Sequence, residues 1–168
     1  MKKKYFILSA LAVIILVIVA AVSLRINNTW SAIRKLNLNS DLPIGIGILE
    51  GDSPDISAYE RTDGFGCYEL AGNGIVYGIS GFPDVTDDYR TTNITITSAE
   101  FSVFGISVGD CFSEEAENIL RKAGLTKNED RILSFEKGKL SITFQLKGEM
   151  IQSIRIYLSS TNRRGVHF

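Results

Sequence analysis

Residues 140–158 read LSITFQLKGEMIQSIRIYL, and the alternation within this stretch decides the fold class. Its apolar positions are Leu140, Ile142, Phe144, Leu146, Ile154, Ile156 and Leu158. Successive side chains of a strand point to opposite faces, so the pattern predicts two strands, Leu140–Leu146 and Ile151–Leu158, each with one buried and one open face. The Lys147-Gly148 pair between them predicts a turn.

Similar runs precede this stretch along the chain. They are Ile44–Leu49, Phe65–Leu70, Ile75–Ser80, Thr91–Ser98 and Arg131–Glu136. Asn73-Gly74 stands between two apolar runs, which is a strong hairpin signal, and Lys137-Gly138 marks a similar turn before Leu140. Together these runs predict an antiparallel meander.

Ser113–Ala123 has a helical rather than a strand-like period. Its apolar stripe consists of Ala116, Ile119, Leu120 and Ala123, spaced i, i+3, i+4, i+7. Ser113 suits the N-cap, and Gly124 suits the position after the last turn. We expect this helix to pack on the buried face of the sheet through Ile119 and Leu120.

The two halves of this region resemble each other. The matching pairs are Gly45-Ile46 with Gly105-Ile106, Gly51-Asp52 with Gly109-Asp110, and Asn73-Gly74 with Lys137-Gly138. Two copies of one unit, residues 43–100 and 101–160, would explain these matches, although Pro54 interrupts the stretch where the first copy needs its helix.

Tyr5–Leu24 is an uncharged run of twenty residues, long enough to cross the hydrocarbon core of a membrane. Lys2–Lys4 precede it and favour a cytoplasmic N-terminus, and Trp30 stands where an interfacial aromatic would anchor the outer end. The alternative is a cleaved signal peptide with its site at Val19–Ala21. The length of the run favours the uncleaved anchor.

The sequence therefore predicts an α+β protein: an N-terminal transmembrane helix, then an antiparallel β-meander sheet or sheets with one packed helix. Residues 1–26 form the cytoplasmic tail and anchor, 27–42 a juxtamembrane linker, and 43–168 an extracytoplasmic domain. Within the linker, Trp30, Ile33 and Leu36 have helical spacing, which indicates either a continuation of the membrane helix or a short separate turn. We expect a single-pass protein of the cell membrane.

Charge is distributed unevenly along the chain. Between Asp41 and Glu117 there are 15 acidic residues and two arginines, whereas residues 118–168 hold ten basic and four acidic ones. Two solvated faces of opposite sign are the simplest interpretation. Because the basic part is modest and its aromatic residues lie in strand-like runs, we expect no nucleic-acid partner.

One part of the chain resembles a known module. Gly105–Asp110, the helix that ends at Gly124, residues 135–144 (FEKGKLSITF) and residues 151–156 (IQSIRI) are similar to the helix-plus-meander unit of the β-lactamase inhibitor protein and of small barrel-assembly lipoproteins. Uncharacterised membrane-anchored exported proteins of Gram-positive bacteria resemble it more closely. The resemblance implies a binding or assembly protein and identifies no partner.

The sequence offers few combinations of residues that could form a catalytic site. The single histidine, His167, stands beside the C-terminus, where chain ends are usually mobile, which argues against histidine-dependent catalysis or a zinc site. Ser134–Lys137 matches a Ser-x-x-Lys motif but falls in a predicted hairpin instead of at a helix start. We expect no catalytic residue, no metal and no cofactor.

Two acidic stretches leave other functions open. Glu50, Asp52 and Asp55 form one group, and Asp84, Asp87 and Asp88 form another. Neither has the ligand spacing of a dedicated calcium loop, and solvated turns explain both. A calcium-responsive adhesive domain and a cell-envelope hydrolase with paired carboxylates remain the alternatives to a binding module.

Cys67 and Cys111 leave two possibilities as well. In an exported domain two cysteines suggest a disulfide, which would stabilise the fold by about 3–4 kcal/mol. Alternatively they are separate thiols, with Cys111 near a helix start that would lower its pKa.

The open face of the sheet is the predicted partner-binding site. Alternation places Thr95, Thr97, Ser141, Thr143, Gln145, Arg155 and Tyr157 on it. Hydroxyl and amide groups supply hydrogen bonds there, and Tyr and Arg are enriched in interface hot spots. Threonine and serine are also common on any solvent-facing sheet. We expect a cell-envelope protein as the partner.

Overall fold

The computed structural model describes residues 2–48, 58–64, 67–82, 86–129 and 133–159; for residues 2–10, 25–27, 81–82 and 86–88 it describes the backbone alone. The elements are α1 (Lys2–Leu38), β1 (Glu60–Gly64), β2 (Cys67–Gly72), β3 (Ile75–Phe82), β4 (Thr86–Ile96), β5 (Ser102–Val103), β6 (Ile106–Ser107), α2 (Glu114–Lys122), β7 (Thr126–Lys127), β8 (Ser134–Lys137), β9 (Leu140–Lys147) and β10 (Met150–Leu158). Among the predicted runs, Leu49, Phe65, Gly66, Arg131 and Ile132 lie outside the described residues.

Eight of these strands form one antiparallel sheet in the order β1-β2-β3-β4-β10-β9-β8-β7. The order is symmetric about the β4–β10 pair, with a meander on each side. Strands β5 and β6 make a separate two-stranded ribbon. The predicted α+β class with an antiparallel meander is confirmed.

Alternation in β9 and β10 works as the sequence predicts, with one exception. Leu140, Ile142 and Phe144 are buried, and so are the apolar positions of β10 that face them. Leu146 was predicted to be buried but is 36% exposed, because it lies near the far end of the hairpin beside the Lys147-Gly148 turn. Burial at the start of β10 also departs from strict alternation, since a bulge shifts the register there.

The Asn73-Gly74 hairpin is confirmed and joins β2 to β3. Both residues have positive φ, 51° and 78°, as a turn that matches the twist of two strands requires. A side chain at Gly74 would stand 2.6 Å from Cβ of Ser98, so close packing also requires glycine there.

The predicted strand Ile44–Leu49 is wrong over its described part, residues 44–48, which form bends and turns. Asn37 of α1 satisfies the backbone of Ile46: its Oδ1 accepts from Ile46 N at 3.0 Å and its Nδ2 donates to Ile46 O at 3.0 Å. Of this segment, only Gly47 N and Ile48 O bond to the backbone of β4, at Thr91. Ile44 N donates to Tyr77 Oη at 3.4 Å, and burial raises the pKa of that phenol.

Helix α1 runs without a break through the predicted linker, so the helical continuation is confirmed. The segment does more than link, because Ala32, Ile33 and Leu36 are buried in the same hydrophobic cluster as the sheet. Trp30 is 45% exposed on the same stretch. The packed domain therefore begins near residue 29 instead of at 43.

Upstream of this docked part, α1 exposes its apolar side chains from Leu11 to Leu24. Leu11–Leu38 is, among the described residues, the one helical segment long and apolar enough to cross a membrane.

Helix α2 is confirmed close to its predicted limits. Ser113 Oγ accepts from Ala116 N at 3.3 Å, and Gly124 follows the helix with φ +88°. Leu120 is fully buried, while Ile119 is only partly so. Both helices contribute to one cluster with the same face of the sheet, so no described helix covers the opposite face.

Candidate functional site: the open face of the sheet

The open face is the side of the eight-stranded sheet opposite α1 and α2. Strand register brings most of its predicted residues together in two adjacent rows. The first row contains Thr95, Arg155 and Thr143, and the second contains Asn93, Tyr157 and Ser141. Both rows are centred on β10, which with β4 forms the middle of the sheet.

Exposure differs among these positions. Arg155 and Gln145 are exposed and Tyr157 is 48% exposed, whereas Thr95, Ser141 and Thr143 are half-buried between their neighbours. The long side chains of Arg155 and Tyr157 on β10 are therefore more exposed to solvent than the hydroxyl groups of the neighbouring Thr95, Ser141 and Thr143.

Thr97 is the predicted site residue that the structure places elsewhere. It lies past the end of β4, where its backbone N and its Oγ1 both donate to Gly74 O, at 2.7 and 3.0 Å. These bonds tie it to the Asn73-Gly74 turn, so its hydroxyl has a structural use.

Hydroxyl groups of β8 and β9 also form hydrogen bonds with neighbouring residues on this face. Ser134 and Thr143 have their Oγ atoms 3.2 Å apart, and Ser153 Oγ donates to Gln145 Oε1 at 2.8 Å. Ser141 Oγ donates to the backbone oxygen of Tyr157 at 3.4 Å. Ser134, the serine of the Ser-x-x-Lys match, is fully buried in strand β8, as its predicted place in a hairpin indicated.

Asn93 and Gly78 belong to the site although the sequence argument missed them. They are paired across β3 and β4, and the register shifts immediately after Gly78. Asn93 Oδ1 is buried with no hydrogen-bond partner among the described residues. For Asn93 the available signal was its alternation with Thr95, and for Gly78 it was a glycine inside a strand, which often marks a bulge or a close approach.

Arg155 supplies the positive charge at the centre of the open face, and Glu69 on β2 and Glu136 on β8 lie at either end of the neighbouring row. Its guanidinium makes no ion pair or hydrogen bond with any described side chain, in contrast to Arg121, which binds Glu117 at 2.7 Å. The neighbouring row, that of Tyr157 and Ser141, continues to Glu136 on β8. Glu136 Oε1 already accepts a hydrogen bond from Asn128 Nδ2 at 2.9 Å. The centre of the face thus presents one unneutralised positive charge.

On helix α2, in contrast, Glu117 is paired with two cations. Glu117 accepts from Lys127 Nζ at 2.7 Å and from Arg121, and these hydrogen bonds, that of Lys127 foremost, lower the pKa of its carboxyl. Each of these three side chains is therefore already engaged in an ion pair.

The structure does not form the predicted disulfide. Cys67 and Cys111 are free and exposed. The row of Cys67 continues through β3 to Arg90 at the start of β4, whereas Cys111 pairs with Met150 at the start of β10. Because β4 and β10 are antiparallel, these positions lie at opposite ends of the sheet, roughly 20–30 Å apart. A disulfide needs Cα atoms within about 7 Å.

The predicted acidic groups fall mostly outside the described residues. Glu50, Asp52, Asp55 and Asp84 belong to undescribed stretches, and the backbone alone is described for Asp87 and Asp88. Within the described ranges no group of three metal-ligating side chains comes together. The hydrolase and calcium-binding alternatives therefore stay predictions. His167 also lies outside the described residues, so the expectation that it has no catalytic or zinc-binding role stays a prediction as well.

Comparisons of this chain with protein-family models, with curated proteins and with solved structures found no match.

Proposed function

We propose that this chain is a membrane-anchored binding or assembly module without catalytic activity, and that its open face engages a cell-envelope protein. The observation that carries the proposal is the unpaired, exposed Arg155 beside Tyr157 at the centre of an eight-stranded sheet. Exposed arginine and tyrosine side chains on a rigid strand are the residue types that dominate interface energetics.

The chemistry of the open face indicates what the partner supplies. A guanidinium binds a carboxylate through two parallel hydrogen bonds, so the partner places an Asp or Glu side chain, or a C-terminal carboxylate, over Arg155.

The anchor in this proposal is α1, uncleaved, with its N-terminus in the cytoplasm and the domain outside. Support comes from Lys2–Lys4 before the apolar run and from the unbroken helix that joins the run to the core. A helix whose far end is buried in the domain holds that domain at a fixed height above the membrane.

The domain also derives, in this proposal, from two copies of one unit that resembles the helix-plus-meander module. The sheet order supports it, because two meanders joined through their last strands, β4 and β10, give a symmetric arrangement.

Site-specific photocrosslinking in intact cells tests the function. A photoreactive amino acid at position 157 should form an adduct with one protein, and Arg155→Ala should reduce that adduct by at least tenfold if a charged hydrogen bond worth about 1.5–3 kcal/mol is lost. Arg155→Lys, which keeps the charge but loses the planar fork, should retain part of it.

The matched control is the same photoreactive group at Lys122, an exposed residue of α2. Identical adducts at both positions would indicate random collisions. A position-157 adduct that is insensitive to Arg155→Ala would remove the open face as the binding site.

A further inference from the structure

The open face carries a negative charge that is as free as Arg155, the carboxylate of Glu69 on β2. This side chain is exposed, and it makes no ion pair or hydrogen bond with any described residue. Strand register continues the row of Tyr157 through Asn93 and Gly78 to Glu69, which therefore lies on the same face as Arg155. The open face thus offers a partner both a free cation and a free anion.

Arg155 and Glu69 lie too far apart to pair within one chain. Three strand spacings separate β2 from β10, and the two positions also differ by two residues along the strands. At about 4.8 Å per strand and about 3.4 Å per residue, their Cα atoms are roughly 16 Å apart. Two side chains that point away from one face do not bridge such a distance. Each charge is therefore available to a partner.

Between these two charges the open face is low and uncharged. The four intervening positions are Val76, Gly78, Asn93 and Thr95. Val76, Asn93 and Thr95 are half-buried, and Gly78 has no side chain. A second sheet can therefore approach this part to the spacing of about 10 Å at which sheets pack face to face.

We infer that two copies of this chain pack open face to open face around a two-fold axis between β3 and β4. Every contact of a two-fold interface occurs twice, so Arg155 of each copy meets Glu69 of the other, and both free charges of each copy are neutralised. This inference rests on the proposed function. It names a second copy of the chain as the protein that brings a carboxylate to Arg155.

The size of the open face suits such a dimer. Its eight strands extend about 34 Å across the sheet, and the eight residues of β9 extend about 26 Å along it. A second copy laid over this face covers on the order of 800 Å², which is the share of each partner in a standard protein interface.

The direction of the axis also suits two anchors in one membrane. The line from Glu69 to Arg155 runs mainly across the strands, so an axis that exchanges them runs mainly along the strands. Helix α1 reaches the domain at the β8–β9 turn, where Lys139 N donates to Thr29 Oγ1 at 3.1 Å. This turn lies at one end of the strands, so the apolar helices of both copies leave the dimer at the same end.

Charge reversal in the full-length protein in detergent tests the pairing. Two forms of the chain, one with an affinity tag and one with a fluorescent label, are co-expressed, and the fluorescence captured with the tag is measured. Arg155→Glu alone and Glu69→Arg alone each place like charges at both contacts, so each should lower self-capture by at least about tenfold. Co-expression of the two variants with each other restores opposite charges at both contacts and should return capture to within about threefold of wild type. Misfolded chains would not be rescued in this way.

The matched control is Lys122→Glu, which makes the same change of charge on an exposed residue of α2 and should leave self-capture unchanged. The inference would be overturned by wild-type chains that do not capture each other, by self-capture that persists in both single variants, or by failure of the mixed pair to recover. In any of these cases, an Arg155-dependent adduct between position 157 and a different protein would leave the proposed function standing. Absence of both self-capture and that adduct would refute the two together.

Discussion

Phe144 offers the sharpest check of the sheet's register. Its side chain is 2% exposed, and its ring centroid lies 5.0 Å from that of Phe112 and 6.3 Å from that of Phe135. Phe144→Ala removes a fully buried ring and leaves a cavity, at a cost of about 3–5 kcal/mol, including two aromatic contacts of about 0.5–1.5 kcal/mol each. For a domain of this size the melting temperature should fall by roughly 10–20 °C.

Thermal unfolding of the full chain in detergent, followed by near-ultraviolet circular dichroism, measures this change. Leu146→Ala is the matched control, because Leu146 lies two residues further along β9 but is 36% exposed. It should cost about 1 kcal/mol or less, as partly exposed apolar side chains contribute little. Equal losses for both variants, or a loss below about 1 kcal/mol for Phe144→Ala, would refute the described register.

Two further predictions concern a turn and a charge. Gly138→Ala should destabilise the fold by at least about 1–2 kcal/mol, since φ is +65° and a Cβ there has no space; Gly148→Ala, with φ +64° and open space around it, should show the backbone cost alone in the same denaturation assay. Glu117→Gln should lower the melting temperature by a few degrees at neutral pH. Hydrogen bonds lower the pKa of Glu117 in the folded state, so its contribution to stability is fully present above the unfolded pKa near 4.3 and is lost as the pH falls through the folded value. The melting temperatures of wild type and variant should therefore converge in acid. A constant difference down to the lowest pH would contradict this assignment.

Local patterns in the sequence were enough to predict most strands and the second helix. The alternation in β9 and β10, the Asn73-Gly74 turn and the Ser113 cap each act over a few residues, and the structure keeps all of them. The pairing of β4 with β10 joins segments some 60 residues apart. Alternation identifies a buried face without identifying its neighbour, so this pairing was not predictable.

The errors have the same origin in distant contacts. The Gly-Ile alternation of residues 44–48 resembles a strand, but the Asn37 side chain takes both backbone hydrogen bonds of Ile46, and only Gly47 and Ile48 bond to β4. At the site, alternation correctly grouped Arg155 with Tyr157. Asn93 stands two residues before Thr95, so the same alternation places it on the open face, and it could have been included from the sequence.

The β4–β10 pair also determines the order in which the fold assembles. Its partners are separated by about 60 residues, and the contact between Thr29 and Lys139 spans 110. Until β10 leaves the ribosome, the inner edge of β4 has no neighbour, and the docked end of α1 lacks its contact with the β8–β9 turn. Closure of such long loops is entropically slow. Helix α1 is therefore complete long before the domain closes, and the apolar face of β3 and β4 stays accessible to chaperones and to other nascent chains throughout that interval.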